Sequence, residues 1–479
     1  MFNIENKTEI IIMDNLNNNY KIIISMLFSI SYYAILCAYV NFTPNIDFKS
    51  VSYFSFGSIL LVISQLIFNR VKITSIFYIF ILTYIIFVFG RFFSVVFSDL
   101  LSLPMRVDNL KSLFSLLFMV NYQPTYEKIT TIFLLTNGFV LFLFIGFLLS
   151  STLYDKSEEI NNNDIFDIAI LKWAFYILFI FNFIKILNMI WLTYQQGYMA
   201  LYASQSTGSF SIGTVHILFM VVFGLVTYKK SDYKSFLILF VIYSLLCGLT
   251  GARGGLVTGL LTSIYVYSKH NKVDVFKLIV MLVSTVLFMV LIFNLSSRAE
   301  TSSLSSHGFI EKIIDFLYIQ GNTLSIIGYS ISGKVDYPPQ AIYQAFLPLA
   351  FRIYILFHSN VEFYTANISA VTAYTANPEQ YLAGYGLGSS IVSETYNIFA
   401  KTITTSLFIS FFLGFFMGKA EAISKYNIIY WAALLSIIPN ILFLSRSGYN
   451  DIFPALIYAV VFLYIIRFLF LLKNVIKKE

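Results

Sequence analysis

Arginine set among small residues at the border of an apolar run is the recurring chemical feature of this 479-residue chain. Gly251-Ala252-Arg253-Gly254-Gly255 joins two apolar runs with almost no loop. Its glycines permit a tight turn and a close ligand approach, and they hold Arg253 at the edge of both runs. Ser445-Arg446-Ser447-Gly448-Tyr449-Asn450-Asp451 is a second short connection built around an arginine. Gly386-Leu387-Gly388-Ser389-Ser390 leads into a predicted helix carrying Glu394 and Tyr396. Ser389 or Ser390 can cap that helix, whose free N–H groups suit an anion. The guanidinium fork is permanently charged and binds phosphates and carboxylates in bidentate fashion. Glu394, one turn into its helix, is placed to act as a general base or to orient an arginine. The candidate catalytic residues are therefore Glu394, Arg253 and Arg298, and the candidate substrate-binding residues are Arg352, Arg446, Arg91 and Tyr396.

Each motif also has a plainer reading. Gly251–Gly255 makes an ordinary hairpin with a snorkelling arginine, and Arg446 can pair with Asp451. A first-turn Glu394 complements the helix dipole, and the arginines serve equally as headgroup anchors or loop ion pairs. Other chemistries find less support. His307 and His358 have no second ligand at metal spacing, so no metal site is expected. Asp164 and Asp167 fall in an acidic stretch, Asp155–Asp167, that reads as solvated charge. No phosphate-binding P-loop or dinucleotide fingerprint occurs, so neither ATP-driven chemistry nor a cofactor is expected. Tyr374, Tyr381, Tyr385 and Tyr396 form a tyrosine-rich stretch suited to stacking on sugar rings.

The elements that must position these residues are membrane helices. The chain is 58% hydrophobic and 11% charged, against about 25% charged in soluble domains, which makes it a polytopic all-α membrane protein. Its excess of basic residues is scattered over short loops, which sets topology and excludes a nucleic-acid partner. Cys37 and Cys247 lie inside apolar runs, so no disulfide is expected. At roughly 20 residues per span, helices are predicted at about 22–40, 51–68, 73–96, 129–150, 169–192, 212–228, 235–250, 254–268, 275–295, 390–418, 428–444 and 452–472. The run 110–120 is too short to span and is read as re-entrant or interfacial. These twelve helices form one membrane domain, 1–479, interrupted by a long outer segment, 296–389. Lysines such as Lys229, Lys230, Lys269, Lys272, Lys473 and Lys477 then mark the inner side, with both termini inside. Arg91, Arg106, Arg253, Arg298, Arg352 and Arg446 fall outside. Insertion accepts either basic residue, so this sorting points to an anionic substrate on the outer face.

At Gly251-Ala252-Arg253-Gly254, at Gly386–Asn397 and at Ser445-Arg446-Ser447-Gly448 the chain resembles the O-antigen polysaccharide polymerase (Wzy) family, and the helical plan extends the likeness over nearly its whole length. The resemblance implies a GT-C-like fold and a glycosyltransferase in the bacterial inner membrane. Such enzymes join repeat units carried on undecaprenyl pyrophosphate at the periplasmic face without a nucleotide sugar. A hydroxyl of the incoming lipid-linked unit attacks the growing chain, and undecaprenyl pyrophosphate leaves. The implied partners are that lipid-linked oligosaccharide, membrane lipids and a chain-length regulator protein. The family's paired Arg-x10-Gly loops are not reproduced: Gly308 follows Arg298 one position early, and Arg352 has no matching glycine. Two other membrane functions compete. A lipid-linked oligosaccharide flippase should carry charge along its helices, where Lys185 is nearly alone. An O-antigen ligase would depend on a loop histidine such as His307 or His358.

Overall fold

The computed structural model describes residues 2–116, 118–119, 122–152, 166–196, 211–250, 253–274, 276, 280, 308–358 and 360–476. Arg298, His307 and Asp164 and most of the predicted helix 275–295 lie outside these. Among the described residues the ordered structure is helical, with no strand. In chain order the helices are α1 Phe2–Phe42, α2 Phe48–Phe68, α3 Ile76–Phe87, α4 Gly90–Leu100, α5 Tyr126–Thr152, α6 Ile168–Gln196, α7 Ser211–Thr227, α8 Tyr233–Leu249 and α9 Arg253–His270. There follow α10 Phe309–Gln320, α11 Thr323–Ser330, α12 Pro339–Phe346, α13 Ala350–Phe357, α14 Ile368–Ala376, α15 Pro378–Leu382, α16 Ile391–Ile398, α17 Ile403–Ser424, α18 Ile428–Phe443 and α19 Tyr449–Ile476.

Seven of these are long and apolar enough to cross a membrane, or eight if a bent pair counts as one span. The expected twelve are therefore not all present as full spans among the described residues. Two departures have local causes. The predicted helix 73–96 bends by 72° between α3 and α4, where Gly90 meets another backbone. The predicted helix 390–418 divides into α16 and α17 because Ala400 and Lys401 adopt left-handed φ values of 63° and 52°. Neither glycine nor proline marks that break. Thr402 then opens α17, its hydroxyl accepting from Thr405 N at 3.2 Å. Side-chain caps start other helices as expected: Asp47 for α2, Ser75 for α3 and Asn427 for α18.

The chain forms two compact units. Unit 1 comprises Met1–Lys156, Phe309–Lys334 and Val392–Lys419. Its α1, α2, α4 and α5 pack together, and α10 lies along α4. Polar side chains join helices where hydrocarbon offers no other partner: Ser29 to Gln65 at 3.0 Å, Ser58 to Asn137 at 2.7 Å, and Tyr84 to the Thr136 carbonyl at 2.9 Å. The first part of the expected outer segment is core here, since every residue of α11 is buried. The run 110–120 holds a short 3-10 turn, Ser112–Phe114, with Leu113 and Phe114 fully buried.

Unit 2 comprises Ser157–Gly308, Val335–Ile391 and Ala420–Glu479. Here α7 lies against α18, α8 against α9, and α18 against both α9 and α19. A Cβ on Gly224 would stand 2.5 Å from Ala432 Cα, so glycine lets α7 and α18 meet closely. Ion pairs Lys172–Asp232 (2.8 Å) and Lys473–Asp167 (2.6 Å) gather at one end of these helices. Arg253 and Arg446 stand at the opposite helix ends. Within this unit Lys172 and Lys473 thus stand at the end opposite Arg253 and Arg446, while Arg467 lies near Lys473.

Candidate anion site at the arginine end

The site is built at the turn between α18 and α19. Leu444–Arg446 forms a 3-10 turn, and Ser447 leads into Tyr449, the first residue of α19. Asn440 donates its side-chain amide to the Asp451 carbonyl and braces the turn against the start of α19. Ser445 is wholly buried, Ser447 is 7% exposed, and Arg446 between them is half-buried. The Ser445 hydroxyl has no hydrogen-bond partner among the described residues. A buried hydroxyl without a partner costs about 1–3 kcal/mol, so its place beside an arginine marks a position where a ligand oxygen would be stabilised.

Two further stretches meet this turn. Gly254, second residue of α9, faces the Phe443 ring, and a Cβ there would lie 3.3 Å from it. Gly388, at φ 81°, lies beside Arg446, where a Cβ would come within 3.4 Å of the Arg446 carbonyl oxygen and 3.9 Å of its Cγ. That φ is open to glycine and strained for other residues. After it the chain stays buried through Ser389, Ser390, Ser393, Glu394 and Thr395. Parts of the three motifs therefore meet the end of α18 and the turn after it in unit 2, and what gathers there is a cationic side chain, an unpartnered hydroxyl and half-buried glycine backbone. Such an arrangement binds phosphate oxygens.

The remaining candidates occupy different places. Glu394 is 2% exposed on α16, and the chain passes from unit 2 to unit 1 between Ile391 and Val392. A carboxylate serving only the helix dipole in water would not be buried. Tyr396 is half-buried on the same helix. Arg253 begins α9. Arg352 is exposed on α13, within electrostatic reach of Tyr458 on α19. The tyrosines are partly engaged with one another: Tyr374 stacks on Tyr364 at 3.8 Å and meets Tyr381 edge-on at 5.8 Å, while Tyr385 is 49% exposed.

Arg91 serves the fold of unit 1. It is 2% exposed, and its Nη1 donates to the carbonyls of Leu113 and Ser115 and to Ser325 Oγ, each at 2.7 Å. Its Nη2 donates to Asn322 Oδ1 at 2.6 Å, and the Tyr318 ring lies 4.8 Å away. Gly90 and Gly321 make this crossing possible. A Cβ on either would strike backbone, Leu317 O at 2.4 Å or Arg91 N at 2.5 Å. Arg106 holds Asp315 with two parallel bonds of 2.6 and 2.7 Å, so the ion-pair reading applies to it. The Asp315 side chain is 9% exposed and Arg106 47%. Replacing Asp315 by asparagine should cost about 1–2 kcal/mol, between an exposed pair and a buried charged hydrogen bond. Thermal unfolding of the detergent-purified chain should report this loss, and an unchanged midpoint would show the pair to be idle.

Sequence reasoning located Arg446 but read its serines as turn residues. Both serines are buried, which their place in a short polar turn does not announce. A family model described as O-antigen polysaccharide polymerase Wzy matches residues 19–479. No curated protein and no solved structure matches the chain.

Proposed function

Because the chain belongs to the O-antigen polysaccharide polymerase Wzy family, we propose that it joins oligosaccharide repeat units carried on undecaprenyl pyrophosphate, at the periplasmic face of the bacterial inner membrane. The observation that carries the reading is the approach of Gly388 to Arg446, at the end of the helix whose Phe443 faces Gly254. Arg446 and Arg253, aided by the Ser445 hydroxyl, bind the diphosphate of the donor. When a hydroxyl of the incoming unit attacks the anomeric carbon, the bond to the diphosphate oxygen breaks and negative charge grows on the leaving group. Arginines fixed at that point stabilise the charge as it develops. Glu394, four residues beyond Ser390 in the chain, accepts the proton of the attacking hydroxyl. Arg298 and Arg352, from the segment 296–389, contact acidic or phosphorylated parts of the sugar chain, and Tyr396 and Tyr385 stack on its rings. Arg91 acts by holding the fold. The placing of Lys172 and Lys473 opposite Arg253 and Arg446 supports a cytoplasmic lysine end and a periplasmic end at Arg253 and Arg446, with both termini cytoplasmic. A GT-C-like plan and a chain-length regulator as partner belong to the same reading.

Gel analysis of lipopolysaccharide after gene deletion tests it. A polymerase leaves single units exportable, so the deletion strain should show core capped by one repeat, and complementation should restore the ladder. Bare core in the deletion strain would point to a flippase or ligase and end the polymerase reading.

A further inference from the structure

Lys185, His216, Tyr243 and Cys247 form a polar cluster within unit 2 that the reaction just described does not use. They come from three packed helices, α6, α7 and α8. The Tyr243 hydroxyl lies 3.4 Å from His216 Nδ1, and the two rings stack at 5.9 Å. Lys185 lies within electrostatic reach of both Cys247 and His216. No carboxylate pairs with Lys185 among the described residues. Lys185, His216, Tyr243 and Cys247 are all half-buried, which leaves the cluster reachable.

The cluster lies at the arginine end. Cys247 is two residues from the end of α8, about 3 Å below it. A Cβ on Gly255, two residues past Arg253, would lie 3.6 Å from Cys247 Cβ. Thr193 of α6 donates to the Thr250 carbonyl at 3.4 Å and ties α6 to the end of α8. A lysine that merely snorkels needs only water at its tip. Here an imidazole and a phenol from two other helices share the spot, and uncompensated polar groups are costly in a membrane. Ionisable residues in that setting ordinarily mark a ligand path.

We infer that Lys185, His216 and Tyr243 form a second anion site inside the arginine end of these helices, which takes the phosphate of a lipid entering sideways from the bilayer. The inference rests on the proposed polymerase reading only for one of its two sources, a prenyl diphosphate; the other source is the headgroup of a bulk anionic phospholipid. Binding of a fluorescent farnesyl diphosphate to the full chain in detergent tests it. Lys185→Met should weaken binding by about tenfold or more, as loss of a charge-assisted contact does, and Lys185→Arg should retain it. Arg446→Ala is introduced into every protein compared, so the first site does not mask the second. With Cys37→Ala, Cys247 is the remaining thiol, and the probe should slow its alkylation where Lys185 is kept but not in the Lys185→Met variant. Competition by phosphatidylglycerol as strong as by unlabelled farnesyl diphosphate assigns the site to bulk lipid, and competition by the diphosphate alone assigns it to a prenyl carrier. Equal probe affinity with and without the Lys185→Met exchange, both proteins having native unfolding midpoints, overturns the site. That failure would leave a single-repeat band in the deletion strain untouched, so the two readings fall separately.

Discussion

Exchanging Arg446 for lysine should cut polysaccharide ladder formation by about 10²–10³-fold, the loss typical of one donor to developing charge, while the amount of protein in the membrane stays the same. Charge is conserved in this variant, so a headgroup anchor would hardly notice it. What disappears is the planar fork, whose parallel bonds match two phosphate oxygens. The position leaves little freedom for compensation. Arg446 is half-buried between two buried serines, with Gly388 against its carbonyl oxygen and Cγ. A lysine stem there would present a single point charge from a different height. Arg253→Lys should act in the same direction, because Gly254 seats the start of α9 on Phe443. The measurement is the ladder on a gel in a complemented deletion strain, with protein level checked by immunoblot. Full-length ladders at normal intensity from both lysine variants would reduce the arginines to anchors.

Apolar run length and the glycine–arginine pattern revealed much of this in advance. Spans such as α2, α5, α6, α18 and α19 follow from apolar length alone, and their observed ends fall within a few residues of those predicted. The three motifs around Arg253, Gly386–Gly388 and Arg446 were legible because glycine and arginine are conspicuous in apolar surroundings. Their meeting was not, since it depends on packing between α9, α18 and the loop before α16. Arg91 shows the opposite limit. As an arginine at an apolar border it looked the same as Arg446, and only its four oxygen acceptors, drawn from residues 113, 115, 322 and 325, identify it as a brace. The segment 296–389 shows a related limit. Its break in the apolar runs does not announce that α11 within it is completely buried; short helices with polar residues can be covered by neighbouring protein where they need not face lipid.

A further packing signal in the sequence is Gly414-x-x-x-Gly418 in α17. Glycines four apart share a helix face and let two helices approach closely in a membrane, where apolar burial does not drive association. In unit 1 that face meets α5. A Cβ on Gly414 would stand 1.8 Å from the Leu143 carbonyl oxygen, and one on Gly146 would stand 1.9 Å from the Phe411 carbonyl oxygen. Gly418 meets Ser150 Oγ at the same 1.9 Å. The obstructing atoms at Gly414 and Gly146 are backbone, so rotamer changes cannot relieve the clash and the helices must separate along their whole contact. Gly414→Val should therefore cost at least about 3 kcal/mol, the upper range for overpacking, which is a large fraction of the stability of a typical domain. Gly414→Ala and Gly146→Ala should act in the same direction and more mildly. Gly213 is the matched control, since a Cβ there meets nothing within 4 Å, and Gly213→Ala should behave as the parent. Size-exclusion profiles of fluorescent-protein fusions in detergent, followed by thermal unfolding, read the result. Loss of the monodisperse peak is expected for Gly414→Val. A valine variant that elutes and melts like the parent would mean that α5 and α17 do not cross at these glycines.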